Sequence, residues 1–279
     1  MKEVMLHNAL HDNASLLRER LRGQLAIFLD YDGTLTPIVS NPEKAIISDT
    51  TRDVVRQLCN AFRIAVVSGR SCEKLRQFLK IDGIVLAGSH GLDIRMPPPW
   101  SRSMLHPVGE AARTSLVRVQ HQLDDTLSDV PGYETEDNTL CISAHYRRVS
   151  PEQHARVHEV VHSILQDEPS LRHKEGKMVH ELRPAVDWGK GQAVDWLLAT
   201  FHEEKELQGN QTKLTPLYIG DDVADEDAFK FVEAHGGVGI KVSDTAVTTQ
   251  DTAASLQITQ DEVVILLKLL LDTYTNAER

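Results

Sequence analysis

The chain has 279 residues, with 30 Lys and Arg against 41 Asp and Glu, a formal net charge of −11 at pH 7. That length suits one large or two ordinary domains, and a hydrophobic content of 41% allows a sizeable core. The acidic balance speaks against nucleic acid or an anionic membrane as partner, and three Cys with no Cys-x-x-Cys spacing speak against a disulfide framework. Reduced thiols in a cytoplasmic protein are therefore expected. The N-terminus lacks the apolar core of a signal peptide. The longest apolar stretch, Val263 to Leu271, is broken by Lys268 and is too short to span a bilayer.

Leu10, Leu16, Leu17 and Leu21 recur among charges over 9–22, which predicts a short amphipathic helix. Leu25 to Leu29 run apolar without a break, the pattern of a parallel strand buried on both faces. A helix is expected over 49–60, opened by Asp49 or Thr50 as N-cap. Strand (63–67), helix (71–80) and strand (84–87) follow, the rhythm of a doubly wound sheet. The rhythm breaks at the stiff Met96-Pro97-Pro98-Pro99-Trp100 segment. Helices over 106–128 and 151–166, with strands over 139–147 and 177–182, read as a smaller α+β insert. The first rhythm resumes with a helix over 190–201, strands at 215–219 and 238–241, a helix at 225–234, a possible edge strand at 255–258 and a closing helix over 261–273. The expected fold is thus α/β: a doubly wound, Rossmann-like core over 1–92 and 187–279, with an α+β cap over 93–186.

Asp30 and Asp32 follow the first buried strand, and Gly33 lets the chain turn. Ligands bind beyond the C-terminal strand ends of open α/β sheets. Two carboxylates this close repel unless a cation or a shared proton offsets them. Mg²⁺ accepts such hard oxygens, an Asp can also serve as nucleophile, and turn punctuation is the plain alternative. Ser68, at a strand end before a helix, is either a phosphate-oxygen donor with its neighbouring amides or a simple N-cap. Lys190 sits at a helix start, where the macrodipole disfavours a cation, which hints at an anionic neighbour; a solvated lysine is the alternative. Asp221, Asp222, Asp225, Glu226 and Asp227 put five acids in seven residues. Of these, Asp225 to Asp227 can simply complement a helix dipole, whereas Asp221, at the strand tip, is the better metal candidate.

Asp30-Tyr31-Asp32-Gly33-Thr34, Ser68, Lys190 and Asp221-Asp222, in that order, resemble the four motifs of haloacid-dehalogenase-like phosphohydrolases. Gly-Ser-His-Gly (88–91), His-Tyr-Arg (145–147), Glu-Leu-Arg-Pro (181–184) and Gly-Asp-Asp-x-x-Asp-Glu-Asp-x-Phe (220–229) narrow the resemblance to its trehalose-6-phosphate phosphatase branch, over about residues 24–241. The resemblance implies Asp30 as nucleophile and Asp32 as general acid/base, with Ser68 and Lys190 stabilising the transferring group. It implies Mg²⁺ held by Asp30, the Asp32 carbonyl and Asp221, and Asp222 orienting a metal-bound water. It further implies sugar-phosphate contacts from Gly69, Arg70, His90, Arg147, Lys177, Glu181, Arg183 and Glu226, and a monomer acting on a small sugar phosphate. Without it, Arg147, Glu181 and Arg183 are ordinary surface charges. Phosphatases for sucrose phosphate or mannosylglycerate phosphate share this core, and a non-catalytic sugar-phosphate sensor is the rival of another class. His154, His158 and His162 recur at helical spacing, but no ligand set from a second element is evident, so a solvated face is the expectation.

Overall fold

The apolar run at 25–29 lies in the middle of a sheet covered on both faces. In this computed structural model the described residues are 6–11, 17, 19–21, 23–98, 100, 102–207, 209, 212–243 and 252–275. The first half supplies β1 (His7–Asn8), β2 (Gln24–Leu29), α1 (Asp49–Ala61), β3 (Arg63–Val67), α2 (Cys72–Leu79), β4 (Val85–Gly88), β5 (Asp93–Arg95) and β6 (Met104–Leu105). Next come α3 (Pro107–Ala111), α4 (Arg113–Thr126), β7 (Glu134–Asp137), β8 (Ile142–His145), α5 (Pro151–Gln166), β9 (Leu171–Gly176) and β10 (Val179–Pro184). The chain closes with α6 (Lys190–Leu207), β11 (Leu214–Gly220), α7 (Glu226–Ala234), β12 (Val238–Val242), β13 (Leu256–Ile258) and α8 (Val263–Thr275).

The larger sheet has the order β1-β13-β12-β11-β2-β3-β4-β5-β6. It is parallel from β1 to β4, and β5 and β6 add antiparallel. Alternation along β2 explains its burial. Leu25, Ile27 and Leu29 enter one core with residues of α1, α2 and α8, while Ala26 and Phe28 enter the other with residues of α6 and α7. Successive strand side chains point to opposite faces, so a strand covered twice must be apolar throughout. The second sheet, β7-β8-β10-β9, is wholly antiparallel. Its apolar face packs on α4 and α5 through Leu116, Val119, Val157, Val161, Ile142 and Leu182.

The structure differs from several sequence expectations. The N-cap of α1 is Ser48, whose Oγ accepts from Thr51 N at 3.1 Å, rather than Asp49 or Thr50. Residues 106–128 form two helices, because Ala112 carries the chain from α3 into α4. The expected strand over 139–147 is shorter, and Glu134–Asp137 form a further strand, β7, before it. Lys177 and Met178 make the β9–β10 turn, with Met178 at φ 66°, instead of starting a strand. β13 is internal, with β1 outside it. Residues 93–95 and 104–105 pair onto the larger sheet, so the smaller sheet occupies only part of the span expected for the insert. In the helix expected over 9–22, Leu16 lies outside the described residues, while Leu17 and Leu21 are buried and joined by a backbone hydrogen bond of 2.9 Å. Pro99 is likewise outside them. The three cysteines are free.

Candidate active site

β2 and β11 are neighbours, and both end at one cleft between the sheets. Asp30 leaves β2 still tied to it, its N–H donating to Ile219 O at 2.9 Å. Gly33 turns at φ +79°, and a Cβ there would meet Asp221 Oδ2 at 2.3 Å, so only glycine lets this loop pass so close to Asp221. Lys190, the first residue of α6, is buried and donates from Nζ to Asp30 Oδ1 and Asp225 Oδ1, both at 2.7 Å. The anionic neighbour hinted at by its place at a helix start is therefore present.

Asp225 is the hub of this floor. Its Oδ1 also accepts from Tyr218 OH at 2.6 Å, and its Oδ2 accepts from the Asp221 and Asp222 amides at 2.9 and 2.8 Å. Burial opposes its charge, yet Lys190 and these donors hold its pKa below the ordinary carboxylate value. Burial pushes Asp30 well above that value; Lys190 opposes the rise, and Asp225 and Asp221 add to it. Burial also pushes Asp221 up to about 6, against the pull of Lys177 and helped by Asp225. The floor is thus short of positive charge.

Carboxylate oxygens of Asp30, Asp221 and Asp225 lie within 4.8 Å of one another. The set is all hard oxygen, and Asp30 and Asp221 carry the destabilised charge, so these residues fit a divalent cation of the Mg²⁺ type. Asp225, saturated by its four donors, serves as their support. A second trio, His90, Cys141 and Glu181, is equally close. Burial pushes the Cys141 thiol far up and Glu181 already has partners, so the trio has no free charge to offer.

Asp32 points at the cleft, clamped by Arg70 through Nε–Oδ2 and Nη2–Oδ1 contacts of 2.7 Å each. This fork geometry suits a guanidinium. Arg70 is itself buried, bonded to Pro42 O at 3.0 Å and stacked 5.1 Å from the Phe78 ring centre. Arg70 therefore serves the general-acid candidate in this structure. Ser68 and Gly69 line the same cleft. Ser68 is not the cap of α2; Ser71 is, accepting from Lys74 N, because Ser68 to Arg70 form a turn closed by Arg70 N to Ser68 Oγ at 3.2 Å.

The roof is one face of the smaller sheet. Period-two alternation puts Ile142, Ala144 and Leu182 into the domain core and Ser143, His145 and Glu181 into the cleft. Glu136 on β7 meets His145 at 2.9 Å and the core residues Lys74 at 2.7 Å and Arg70 at 3.4 Å. Burial works against its charge, but His145, Arg70 and Lys74 hold it down at about 2. Asn138 Oδ1 also accepts from Ser71 N at 3.2 Å. These bonds join roof to floor. Glu136, Asn138 and Ser143 lie in no motif of the sequence, whereas Asp225 lies in the 220–229 motif with only a helix-dipole role expected of it. Glu136 stands on β7, a strand missed in the sequence, Asn138 lies in the turn after it, and the pairing of β7 with β8 sets Ser143 beside them.

His90 and Glu181 line the cleft together, His90 Nε2 lying 2.9 Å from Glu181 Oε1. Burial, with help from Arg183, pushes His90 down to about 4, so its ring is neutral at pH 7 and donates from Nε2. Arg183 bonds the other carboxylate oxygen of Glu181. Burial opposes the Glu181 charge, and His90 and Arg183 hold its pKa well below the ordinary value. Arg183 lies behind Glu181, off the cleft wall, and lines an adjoining pocket with Arg172 and Lys174. Lys177 lines the cleft and reaches Asp221 Oδ2 at 2.7 Å. Arg147 and Asp222 line it too, and the Asp222 side chain caps the turn after β11. Glu226 does not line it: its carboxylate accepts from Lys241 Nζ at 3.2 Å, Thr252 Oγ1 at 2.8 Å and Ala253 N at 2.8 Å. It is turned toward β12 and the segment before β13.

Residues 28–262 match the family model for trehalose-phosphatase. The chain is 39% identical over 268 residues to probable trehalose-phosphate phosphatase 2 of Oryza sativa subsp. japonica, covering 88% of this chain and 68% of that one. It is 39% identical over 260 residues to probable trehalose-phosphate phosphatase H of Arabidopsis thaliana, covering 89% and 72%. Among solved structures, the C-terminal domain of trehalose-6-phosphate phosphatase from C. albicans superposes with a TM-score of 0.77 at 24% identity, over 96% of this chain and 99% of that one, a likeness of fold.

Proposed function

We infer the activity from one premise: this chain belongs to the trehalose-phosphatase family, whose members are phosphoric monoester hydrolases. We propose that it hydrolyses trehalose 6-phosphate to trehalose and phosphate. The observation that carries this reading is the buried floor, where Asp30 and Lys190 meet at 2.7 Å beside Asp221.

Asp30 Oδ2 is the nucleophilic oxygen, since Oδ1 is held by Lys190. It attacks phosphorus in line and forms an aspartyl-phosphate. Asp32, at the cleft mouth, gives a proton to the departing sugar oxygen, and its carboxylate then takes one from the water that hydrolyses the acyl phosphate. The Arg70 clamp orients it and must loosen for the protonated form to act. Lys190 stays with the transferring group and stabilises its charge. Asp30, Asp221 and the Asp32 carbonyl would hold Mg²⁺, which supplies charge neutralisation at the phosphoryl oxygens. Asp222, at the rim, would orient a water beside that ion.

The smaller α+β domain acts as a cap whose polar sheet face reads sugar hydroxyls. Glu181, aligned by His90 and Arg183, presents acceptors, and Arg147 and Lys177 present donors. Arg183 is a positioning residue in this scheme.

Phosphate release from a panel of sugar phosphates, with Mg²⁺ and then with excess chelator, tests the proposal. Trehalose 6-phosphate should be turned over fastest, and chelator should silence the enzyme until Mg²⁺ is restored. Preference for sucrose phosphate, or full activity in chelator, would refute the substrate or the metal respectively. No helix among the described residues is long and apolar enough to cross a membrane.

A further inference from the structure

Two turns from opposite sheets meet beside the cleft. One follows β4 on the larger sheet and carries Ser89 and His90. The other joins β7 to β8 on the smaller sheet and carries Asn138, Thr139 and Leu140. Ser89 reaches into the second turn, where its Oγ donates to Asn138 O and accepts from Leu140 N at 3.4 Å. Asn138 reaches back, and its Oδ1 accepts from Ser71 N at 3.2 Å, just before α2. Asn138 Nδ2 donates to Ser143 Oγ at 3.2 Å, so both ends of the amide are used. Ser71, Ser89 and Asn138 are all buried, where an unmade hydrogen bond is costly.

The larger-sheet side of this exchange is where site residues stand. Ser89 N donates to Arg70 O and His90 N to Ser68 O, both at 2.8 Å, which ties the turn after β4 to the 68–71 loop. A Cβ on Gly69 would meet the His90 ring at 2.8 Å, so loop and turn are in close contact. Ser89 and His90 both take left-handed backbone, at φ +49° and +59°. That region is unfavourable for any residue with a Cβ, and it persists where the surroundings over-determine it. Arg70 O and Ser68 O constrain the turn from within the larger sheet. Asn138 and Leu140 constrain it from the smaller one.

We propose that Asn138 is a positioning residue through which the smaller domain sets the loops that carry Ser68, Arg70 and His90. With the roof seated, Asn138 holds Ser71 N by its side chain and Ser89 Oγ by its carbonyl. Without those bonds the left-handed turn loses its constraint from the smaller sheet, and the Arg70 clamp on Asp32 loosens with its loop. Asn138 therefore acts on the chemistry of the floor while standing on the roof. Its effect on turnover rests on the hydrolytic reading given above; its effect on the loops rests on these bonds alone.

Asn138→Leu, similar in size but without an acceptor, tests this in the full chain. Hydrogen exchange should be roughly 5- to 150-fold faster at the Ser89 and His90 amides, with β2 and β11 protected as in the wild type. With Mg²⁺ present, kcat on a small aryl phosphate ester should fall by about 10²-fold, with KM unchanged. A residue that only contacted the sugar would leave that ester unaffected, and one that only stabilised the fold would speed exchange throughout the core. Should Asn138→Leu not fold, Ser89→Ala breaks the exchange from the other turn and should move both readouts in the same direction. A wild type that releases no phosphate from any ester would fail the hydrolytic reading, and exchange alone then decides the positioning role. A folded variant with wild-type exchange at Ser89 and His90, or with wild-type kcat on the small ester, would overturn the proposal.

Discussion

The floor and the roof of the cleft solve opposite electrostatic problems. On the floor, Asp30, Asp221 and Asp225 share Lys190, and burial pushes Asp30 and Asp221 upward. On the roof, Glu136 and Glu181 are each matched by several partners and held low. On the proposed reading, a region left short of cations takes a divalent one and the phosphoryl group that comes with it. A region of satisfied pairs is prepared to exchange hydrogen bonds with neutral hydroxyls. On that reading the difference separates chemistry from selectivity.

The largest test of that separation lies on the floor. Asp30→Asn should lower phosphate release by roughly 10⁴-fold or more on every ester, with an unchanged far-UV spectrum. Near wild-type release would remove the covalent route.

Asp225→Asn should act on stability as well as turnover. It leaves Lys190 buried with one partner fewer, and breaking a buried pair costs about 3–5 kcal/mol. Urea midpoints check this, with Tyr218→Phe as the smaller companion at about 1 kcal/mol. A midpoint for Asp225→Asn equal to wild type would show that Asp225 is no support.

Glu136 sharpens the comparison through pH. Its folded pKa, about 2, lies below its ordinary value of 4.5. Between the two the unfolded state binds the extra proton, so its contribution is full above about 4.5 and is lost as pH falls toward about 2. Glu136→Gln should therefore be less stable than wild type at pH 7, with the gap narrowing by pH 3. Thermal melts at the two pH values measure it, and a constant gap would contradict the roof-to-floor bond.

Much of the floor was legible because strand tips and short motifs are local. The run Leu25 to Leu29, Asp30, Lys190 and Asp221 are set by burial pattern and spacing. Asp225 was misjudged, because acids after a strand also complement a helix dipole, and only the folded turn shows four donors converging on it. The roof was less legible. Its residues are chosen by register between β7, β8 and β10, and one missed strand hides the face that Glu136 and Ser143 occupy. Glu226 sits in a matching motif, but its carboxylate is taken by Lys241 and Thr252. Residue type and spacing cannot report such a local partner.

The separation of chemistry from selectivity is tested most directly by kcat/KM for Glu181→Ala on two substrates, trehalose 6-phosphate and a small aryl phosphate ester. Glu181 touches Arg183 on the roof and His90 in the turn after β4 of the larger sheet, and none of the floor acids. Losing its bonds in a closed, dry cleft costs ~1–3 kcal/mol, or roughly 5- to 150-fold. The account predicts that loss on trehalose 6-phosphate alone, with the small ester nearly unaffected. Equal losses on both substrates would contradict it and place Glu181 with the catalytic floor.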